Sequence, residues 1–295
     1  MKTGRALGFV AAIAVGSLWL GGCSDNNCIE CVDNEPPAVP AGVFSVTGDG
    51  RVTLYWNDVY QDDLAGYAVY RDDDADGFFD HLTDLAWDEN YDLATNLHFY
   101  VDEDVINGHD YEYAVASFDA AGNESELSFE TVVDTPRPEG FNVELFDIAV
   151  VPAYSGFDFS AHARVDGRLS FADIYVHAVD GVLHVRANRD DVLLQDYGSV
   201  MDDAGFVNLD VLSWAPLYGW SETGDVELIL GHAYVVLIGA SELDRHYAKF
   251  AVTACAASSV MIDWAYQMVP DLRELKAAPS TTVEGEQATA QVIRF

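Results

Sequence analysis

Residues 51–56 read Arg51-Val52-Thr53-Leu54-Tyr55-Trp56. An extended chain places Val52, Leu54 and Trp56 on one face and Thr53 and Tyr55 on the other, the pattern of a strand with one face in a core. Similar short runs recur around it: Val43 to Thr47, Gly66 to Arg71, Leu97 to Val101 and Tyr111 to Phe118. They are rich in Val, Tyr, Trp and Phe. Gly, Asp and Asn turns separate them, among them the hairpin signal Gly48-Asp49-Gly50. This spacing predicts a small antiparallel sandwich.

Several further motifs lie in fixed order along the same stretch. They are Pro37-x-x-Pro40, Leu54-x-Trp56, Leu64-Ala65-Gly66-Tyr67-x-Val69-Tyr70-Arg71 and Tyr100-Val101-Asp102, then Asn107-Gly108-x-x-Tyr111-x-Tyr113-x-Val115 and Asp119-Ala120-Ala121-Gly122-Asn123-Glu124-Ser125. Together they resemble a bacterial fibronectin type III domain over residues 36–135. The resemblance implies a spacer or adhesion module, hence display rather than catalysis. It also implies that Tyr111 is a tyrosine corner, its hydroxyl tying the strand to the preceding loop. The sequence has no Arg-Gly-Asp triplet, so integrin-type binding has no support.

Pro136-Arg137-Pro138-Glu139-Gly140 reads as a linker over 136–140. A second module is expected over 141–278, with 279–295 a tail or final strand. Phe171 to Ala187 alternates about Asp180-Gly181, a two-residue hairpin turn. Val226 to Gly239 and His246 to Tyr266 supply more apolar runs, and one short helix is expected near Asp271 to Lys276. The fold class is therefore all-β: a fibronectin type III sandwich followed by a second antiparallel sandwich or jelly-roll-like domain. Gly231-His232-Ala233-Tyr234-Val235-Val236, Arg245-His246-Tyr247-Ala248-Lys249-Phe250 and Ile262-Asp263-Trp264-Ala265-Tyr266-Gln267 resemble the closing hairpins of HmuY-like surface lipoproteins. Some members of that family bind haem. No histidine here maps onto the family's axial ligands, so the resemblance implies framework and not haem binding.

The chain opens with a targeting pattern over 1–22. Lys2 and Arg5 precede an apolar run, Ala6 to Leu20, too short for a comfortable membrane span. Leu20-Gly21-Gly22-Cys23 resembles a bacterial lipobox, which implies lipidation of Cys23 and a tether over 23–35. The partner implied is a membrane, reached through lipid at the bacterial outer membrane. Ser24-Asp25-Asn26-Asn27 resembles acidic signals for export to the cell surface. Cys28 and Cys31 sit in the tether, where a local disulfide suits the oxidising compartment better than a redox site. Cys255 lies in a strand-like run and is expected to be a buried thiol.

Acids number 50 and cations 14, for a formal charge of −36. Binding to nucleic acid needs clustered Lys and Arg, so that class is excluded, as is electrostatic docking on anionic lipid. Lysine is confined to Lys2, Lys249 and Lys276. Acid excess with lysine depletion resembles the surface of proteins from saline habitats, where charge maintains solubility.

The sharpest site pattern is Asp72-x-Asp74-x-Asp76-Gly77-x-Phe79-Asp80. It follows the first nine positions of an EF-hand-type loop, with Asp72, Asp74, Asp76, the Phe78 carbonyl and Asp80 as candidate Ca²⁺ ligands in a structural role. Thr83 stands where a bidentate Glu belongs, and a strand rather than a helix precedes the loop. Trp214, Tyr218 and Trp220 cluster in a Pro- and Gly-containing segment and are candidate ligand-binding residues, as a sugar platform or as a plug for the sandwich end. His177 and His184 flank the Asp180-Gly181 turn at equal distance and should pair across the hairpin, as half of a metal site or as exposed strand residues. No G-x-S-x-G, P-loop or dinucleotide fingerprint occurs. The leading function is a lipid-anchored envelope protein that displays or binds an unknown protein, glycan or small ligand, and it is not expected to be an enzyme. The alternatives are a haem or hydrophobic-ligand capture lipoprotein and a carbohydrate-binding or hydrolase accessory protein.

Overall fold

The computed structural model describes residues 33–240 and 244–275. Cys23, Cys28, Cys31 and the signal region lie outside the described residues, as do Lys276 and the stretch 279–295. Among the described residues no helix is long and apolar enough to cross a membrane.

The first sandwich contains β1 (Phe44–Gly48), β2 (Arg51–Asn57), β3 (Leu64–Asp72), β4 (Asp80–Ala86), β5 (Tyr91–Asp92), β6 (Leu97–Asp102), β7 (Tyr111–Asp119) and β8 (Val132–Asp134). One sheet has the order β1-β2-β6-β5 and the other β4-β3-β7-β8. This is the two-sheet Greek-key arrangement expected of a fibronectin-type sandwich. The alternation of β2 works as its sequence suggests. Val52, Leu54 and Trp56 are fully buried and pack with Tyr67, Val69, Tyr113 and Val115 of the facing sheet. The Trp56 and Tyr67 rings meet edge to face at 5.5 Å. Tyr111 is a tyrosine corner: its hydroxyl accepts the Ile106 N–H at 3.0 Å.

The second sandwich follows with β9 (Glu139–Phe146), β10 (Gly156–Asp158), β11 (Ala163–Val165), β12 (Ile174–Val179), β13 (Val182–Ala187), β14 (Val192–Ser199), β15 (Asp225–Glu227), β16 (His232–Ile238), β17 (His246–Cys255) and β18 (Ser259–Gln267). Its sheets have the orders β11-β10-β12-β13-β15 and β14-β16-β17-β18-β9. Between them lie Phe157, Phe159, Tyr234, Phe250 and Trp264, with an aliphatic surround. The β12–β13 hairpin turns at Asp180-Gly181, both at positive φ (50° and 84°), as a primed two-residue turn requires. His177 stands directly opposite His184. The run Val226 to Gly239 is divided between two sheets, β15 in one and β16 in the other. The three segments that resemble HmuY-like hairpins fall on the neighbouring strands β16, β17 and β18.

A second core covers the outer face of the β16–β17 region. The connection from 200 to 224 folds back over it and brings Val200, Leu212 and Ala215 onto Ala233, Val235, Tyr247 and Ala251. Leu275 completes the cluster. The expected helix near Asp271 to Lys276 is absent over Asp271–Leu275. Asp271 turns at positive φ (59°), and residues 273–275 pair with 213–215: Ala215 N–H donates to the Arg273 carbonyl at 2.8 Å and Leu275 N–H to the Ser213 carbonyl at 2.7 Å. Pairing with residues 213–215 satisfies the backbone groups that a helix would otherwise have satisfied internally.

Lys249 is the rivet of this layer. It is fully buried, and its Nζ donates to the carbonyls of Leu209 (3.0 Å), Leu212 (2.9 Å) and Leu275 (2.9 Å). Burial, then the proximity of Arg137, holds its proton affinity well below the ordinary lysine value, against the pull of Asp210 and Glu139.

The sandwiches meet through Pro136, Arg137 and Pro138, and β9 takes in Glu139 and Gly140 of the stretch read as linker. Gly108 N–H donates to the Pro136 carbonyl (2.8 Å), Arg137 N–H to Gly48 (3.1 Å) and Tyr266 N–H to Pro138 (2.9 Å). Gly140 lies so close to the Trp264 indole that a Cβ would stand 2.5 Å from Nε1. Backbone bonds to both modules thus fix the crossing.

Replacing Lys249 with Met leaves the buried Leu212 and Leu275 carbonyls without a donor, while Leu209 keeps the Leu212 N–H. The expected loss is on the order of 3 kcal/mol, read as a lower Tm with faster amide exchange at Ala215 and Leu275. Unchanged exchange there would remove Lys249 from this role.

Candidate functional site

The acidic loop between β3 and β4 is built on Arg71. Its guanidinium pairs with Asp102 (Nη1 to Oδ2, 2.7 Å), donates to the Asp104 carbonyl (3.0 Å) and pairs with Asp73 through Nε and Nη2. Tyr113 hydroxyl donates to the same Asp102 oxygen at 2.9 Å, and the guanidinium lies 4.9 Å over the Tyr111 ring. Burial works against the Arg71 charge, but Asp73 and Asp102 outweigh it and hold the group firmly charged. The base of the loop is therefore rigid. His109 Nε2 lies 2.7 Å from the Asp73 carbonyl and adds a tie to the β6–β7 loop.

On this base the carboxylates of Asp72, Asp74 and Asp76 converge, with one oxygen of each within 4.8 Å of the others. Asp72 is buried and accepts the N–H groups of Gly77 (2.8 Å) and Asp74 (3.2 Å); Asp76 accepts that of Phe78 (2.9 Å). For Asp72, burial raises the pKa, but backbone N–H groups led by Gly77 outweigh it and the net shift is downward. Asp74 shifts upward, chiefly from the neighbouring Asp76 charge and then from burial. Crowded hard oxygens of this type fit a divalent cation such as Ca²⁺ by donor chemistry, although Ca²⁺ takes about six to eight oxygens and three side chains supply fewer. Asp80 stands apart from the converging group. It opens β4 opposite Arg71, and Thr83 pairs with Val69 further along, so the later positions of the EF-hand pattern are strand rather than loop. The Phe78 side chain is exposed, while Phe79 is half-buried beside it.

The aromatic segment divides. Trp220 packs on the second core, whereas Trp214 and Tyr218 are exposed, Tyr218 by 81%. No ring contact joins the three. A second aromatic surface gives no strand or motif signal in the sequence. Tyr60 and Trp87 are both exposed and border a depression of about 450 Å³ together with Asp58, Gln61 and Asp62. What marks them is position: large rings outside the strands, set among acids and an amide.

His177 and His184 do face one another, and both are occupied. His177 Nε2 and His184 Nδ1 each lie 2.9 Å from a different oxygen of Asp225. They do not belong to a converging metal-ligand group among the described residues. Cys255 is exposed, not buried. It sits near the open end of β17, past the bulge between Val252 and Ala254.

No family model matches this chain. Three amylopullulanases carry similar regions. The protein from Thermoanaerobacterium saccharolyticum is 31% identical over 109 residues, 37% of this chain and 8% of its own length. The one from Thermoanaerobacter thermohydrosulfuricus is 34% identical over 97 residues, 33% of this chain and 6% of its own length. The chain thus spans less than a tenth of these relatives. Among solved structures, an Fn3-like protein from Clostridium thermocellum is 22% identical, covering 36% of this chain and all of that one, with a TM-score of 0.28. The FN1–FN3 domains of chicken CNTN1 are 12% identical over 73% of this chain and 60% of that one, with a TM-score of 0.31. The chain contains an Fn3-like domain. That assignment rests on the strand order of the first sandwich, and the regions shared with amylopullulanases accord with it.

Arg71→Ala leaves Asp102 buried without its cation. Breaking such a pair costs about 3–5 kcal/mol, so a large fall in Tm is expected. A loss under about 1 kcal/mol, the scale of an exposed pair, would show that Arg71 does not organise the loop.

Proposed function

We propose that this chain is a non-catalytic, lipid-anchored protein of the bacterial envelope that presents ordered aromatic loops to a glycan. The observation that carries the reading is the depression between Tyr60 and Trp87, where two exposed rings stand beside Asp58, Gln61 and Asp62. Rings of this kind stack on the C–H faces of sugars while carboxylates and amides bond the hydroxyls. The exposed rings Trp214 and Tyr218 on the second sandwich form a further contact. The similarity to regions of amylopullulanases supports a carbohydrate association. The Leu20-Gly21-Gly22-Cys23 sequence supports lipidation of Cys23. The Fn3-like sandwich serves as carrier, and Asp72, Asp74 and Asp76 hold Ca²⁺ as a structural ion.

Affinity electrophoresis on pullulan, amylopectin and xylan tests the glycan reading. At least one polymer should retard the chain, and Tyr60→Ala with Trp87→Ala should abolish retardation while the summed fluorescence of the remaining tryptophans, with Trp56 and Trp264 buried, reports folding. Free migration on every polymer would sink the reading. Calcium should raise the Tm of the wild type and leave Asp74→Ala unmoved. Equal Tm values with Ca²⁺ and with chelator would remove the ion.

A further inference from the structure

One wall of the depression beside Tyr60 and Trp87 is tied to the core of the first sandwich. Asp58 lines the depression. Two buried rings hold its Oδ1. His98 Nε2 lies 3.1 Å from that oxygen, and the Tyr67 hydroxyl donates to it at 3.2 Å. An ionised carboxylate only accepts, so His98 carries a proton on Nε2. The Tyr67 hydroxyl in turn accepts the Val59 N–H at 2.8 Å, which fixes the main chain one residue before Tyr60. The other oxygen, Asp58 Oδ2, bonds no protein group among the described residues and is not buried. Asp58 is thus a carboxylate with one oxygen fixed and the other open.

His98 is an unusual occupant of that core. It is 2% exposed and stands among the rings of Trp56 (6.1 Å), Tyr67 (4.6 Å) and Tyr91 (4.9 Å). Its Nδ1 is buried without a partner, as is Trp56 Nε1. An orphaned polar atom in a core costs about 1–3 kcal/mol, and a phenyl ring at position 98 would have no such atom. What the histidine adds is the contact to Asp58. The rest of the lining narrows the guest. Gln61 Oε1 accepts the Ala38 N–H at 3.3 Å, and its amide N–H groups bond no protein group among the described residues. Asp62 adds a second carboxylate, and none of the described lining residues is cationic. An open acceptor and an open donor in one depression suit neighbouring hydroxyls. Two carboxylates without a cation repel an acidic sugar.

We propose that Asp58 is the hydroxyl acceptor that fixes a neutral sugar in the Tyr60–Trp87 depression, and that His98 and Tyr67 are its positioning residues. It rests on the glycan reading and gives that site its guest class, a neutral sugar with vicinal hydroxyls. Rotating the carboxylate would break both bonds to Oδ1, so Oδ2 is held in one place before the guest arrives. A carboxylate free on the loop would have to be ordered on binding, and that ordering weakens affinity. The sugar stacks on an exposed ring while one hydroxyl donates to Asp58 Oδ2 and its neighbour accepts from Gln61 Nε2.

The test is a double-mutant cycle on the full chain, read by affinity electrophoresis on pullulan, amylopectin and xylan. Asp58→Ala should weaken retardation about tenfold or more, the scale of a hydrogen bond to a charged group. His98→Phe keeps a ring in the stack and should weaken it about twofold or more, the low end of coupling between contacting residues. In the Asp58→Ala background the same change should have no further effect. A second measurement needs no variant to fold. In the unaltered chain the ¹⁵N resonance of His98 Nε2 and the Trp87 indole N–H should both shift saturably with maltotriose or xylotriose, and neither with trigalacturonate. Retardation unchanged in Asp58→Ala overturns the acceptor role and leaves the glycan reading standing. Equal weakening by His98→Phe with and without Asp58 makes His98 merely structural and overturns its positioning role. An unmoved His98 resonance while Trp87 shifts overturns it also. Shifts with trigalacturonate alone overturn the guest class. Free migration of the unaltered chain on every polymer overturns both readings.

Discussion

The geometry of the molecule turns on a buried cation held between two prolines. Burying a guanidinium is costly unless its surroundings compensate, and here the surroundings come from both sandwiches at once. Arg137 takes its main-chain partner from the first, at Gly48, and its side chain lies among Glu139, Asp134 and Asp210. Burial lowers its proton affinity, and those acids, Glu139 foremost, pull it back up. Pro136 and Pro138 limit the backbone on either side. Moving one sandwich away from the other would take the Gly48 carbonyl from the Arg137 main chain and Asp134 from its guanidinium. The junction therefore behaves as part of the fold rather than as a tether.

Much of the first sandwich was legible because its signals are local. Alternation in Val52 to Trp56, turn residues at Asp49-Gly50 and the Gly108–Tyr111 spacing each fix a feature within a few residues. The β12–β13 hairpin was legible for the same reason, down to His177 facing His184. What escaped depends on distant partners. The segment from Asp271 has a helical composition, yet Asp271 turns at positive φ and residues 273–275 bridge to 213–215 instead. The extended connection 200–224 lacks a strong period because its apolar residues reach a sheet surface one at a time. Cys255 sits in an apolar run, but a bulge ahead of it and the strand's end turn it outward.

The candidate site was legible in part. Asp72, Asp74 and Asp76 converge as their spacing suggests, because a tight loop brings alternate residues to one side. Asp80 does not join them, because the register of β4 against β3 claims it. The Tyr60 and Trp87 pair was invisible, since the two residues come from different loops that only the sandwich brings to one depression. Arg137 gave a linker signal and nothing more. Charge alone cannot show which cation among so many acids is buried. The acid excess itself reads the same before and after: most described cations are consumed in pairs, and of the remaining carboxylates a few, Asp72, Asp119 and Asp134 among them, are buried.

Gly108 has a further meaning when descent is considered. Fn3-like modules are commonly exchanged between proteins as whole units, which works when a neighbour asks little of them. Here Gly108 of the first sandwich lies 3.3 Å, measured from where its Cβ would be, from Met268 of the second. A substituted module would bring its own side chain to this position and pry the seam open. The two sandwiches are bound to be inherited together, and sequence drift at the crossing should be slower than at the turns that face away from it.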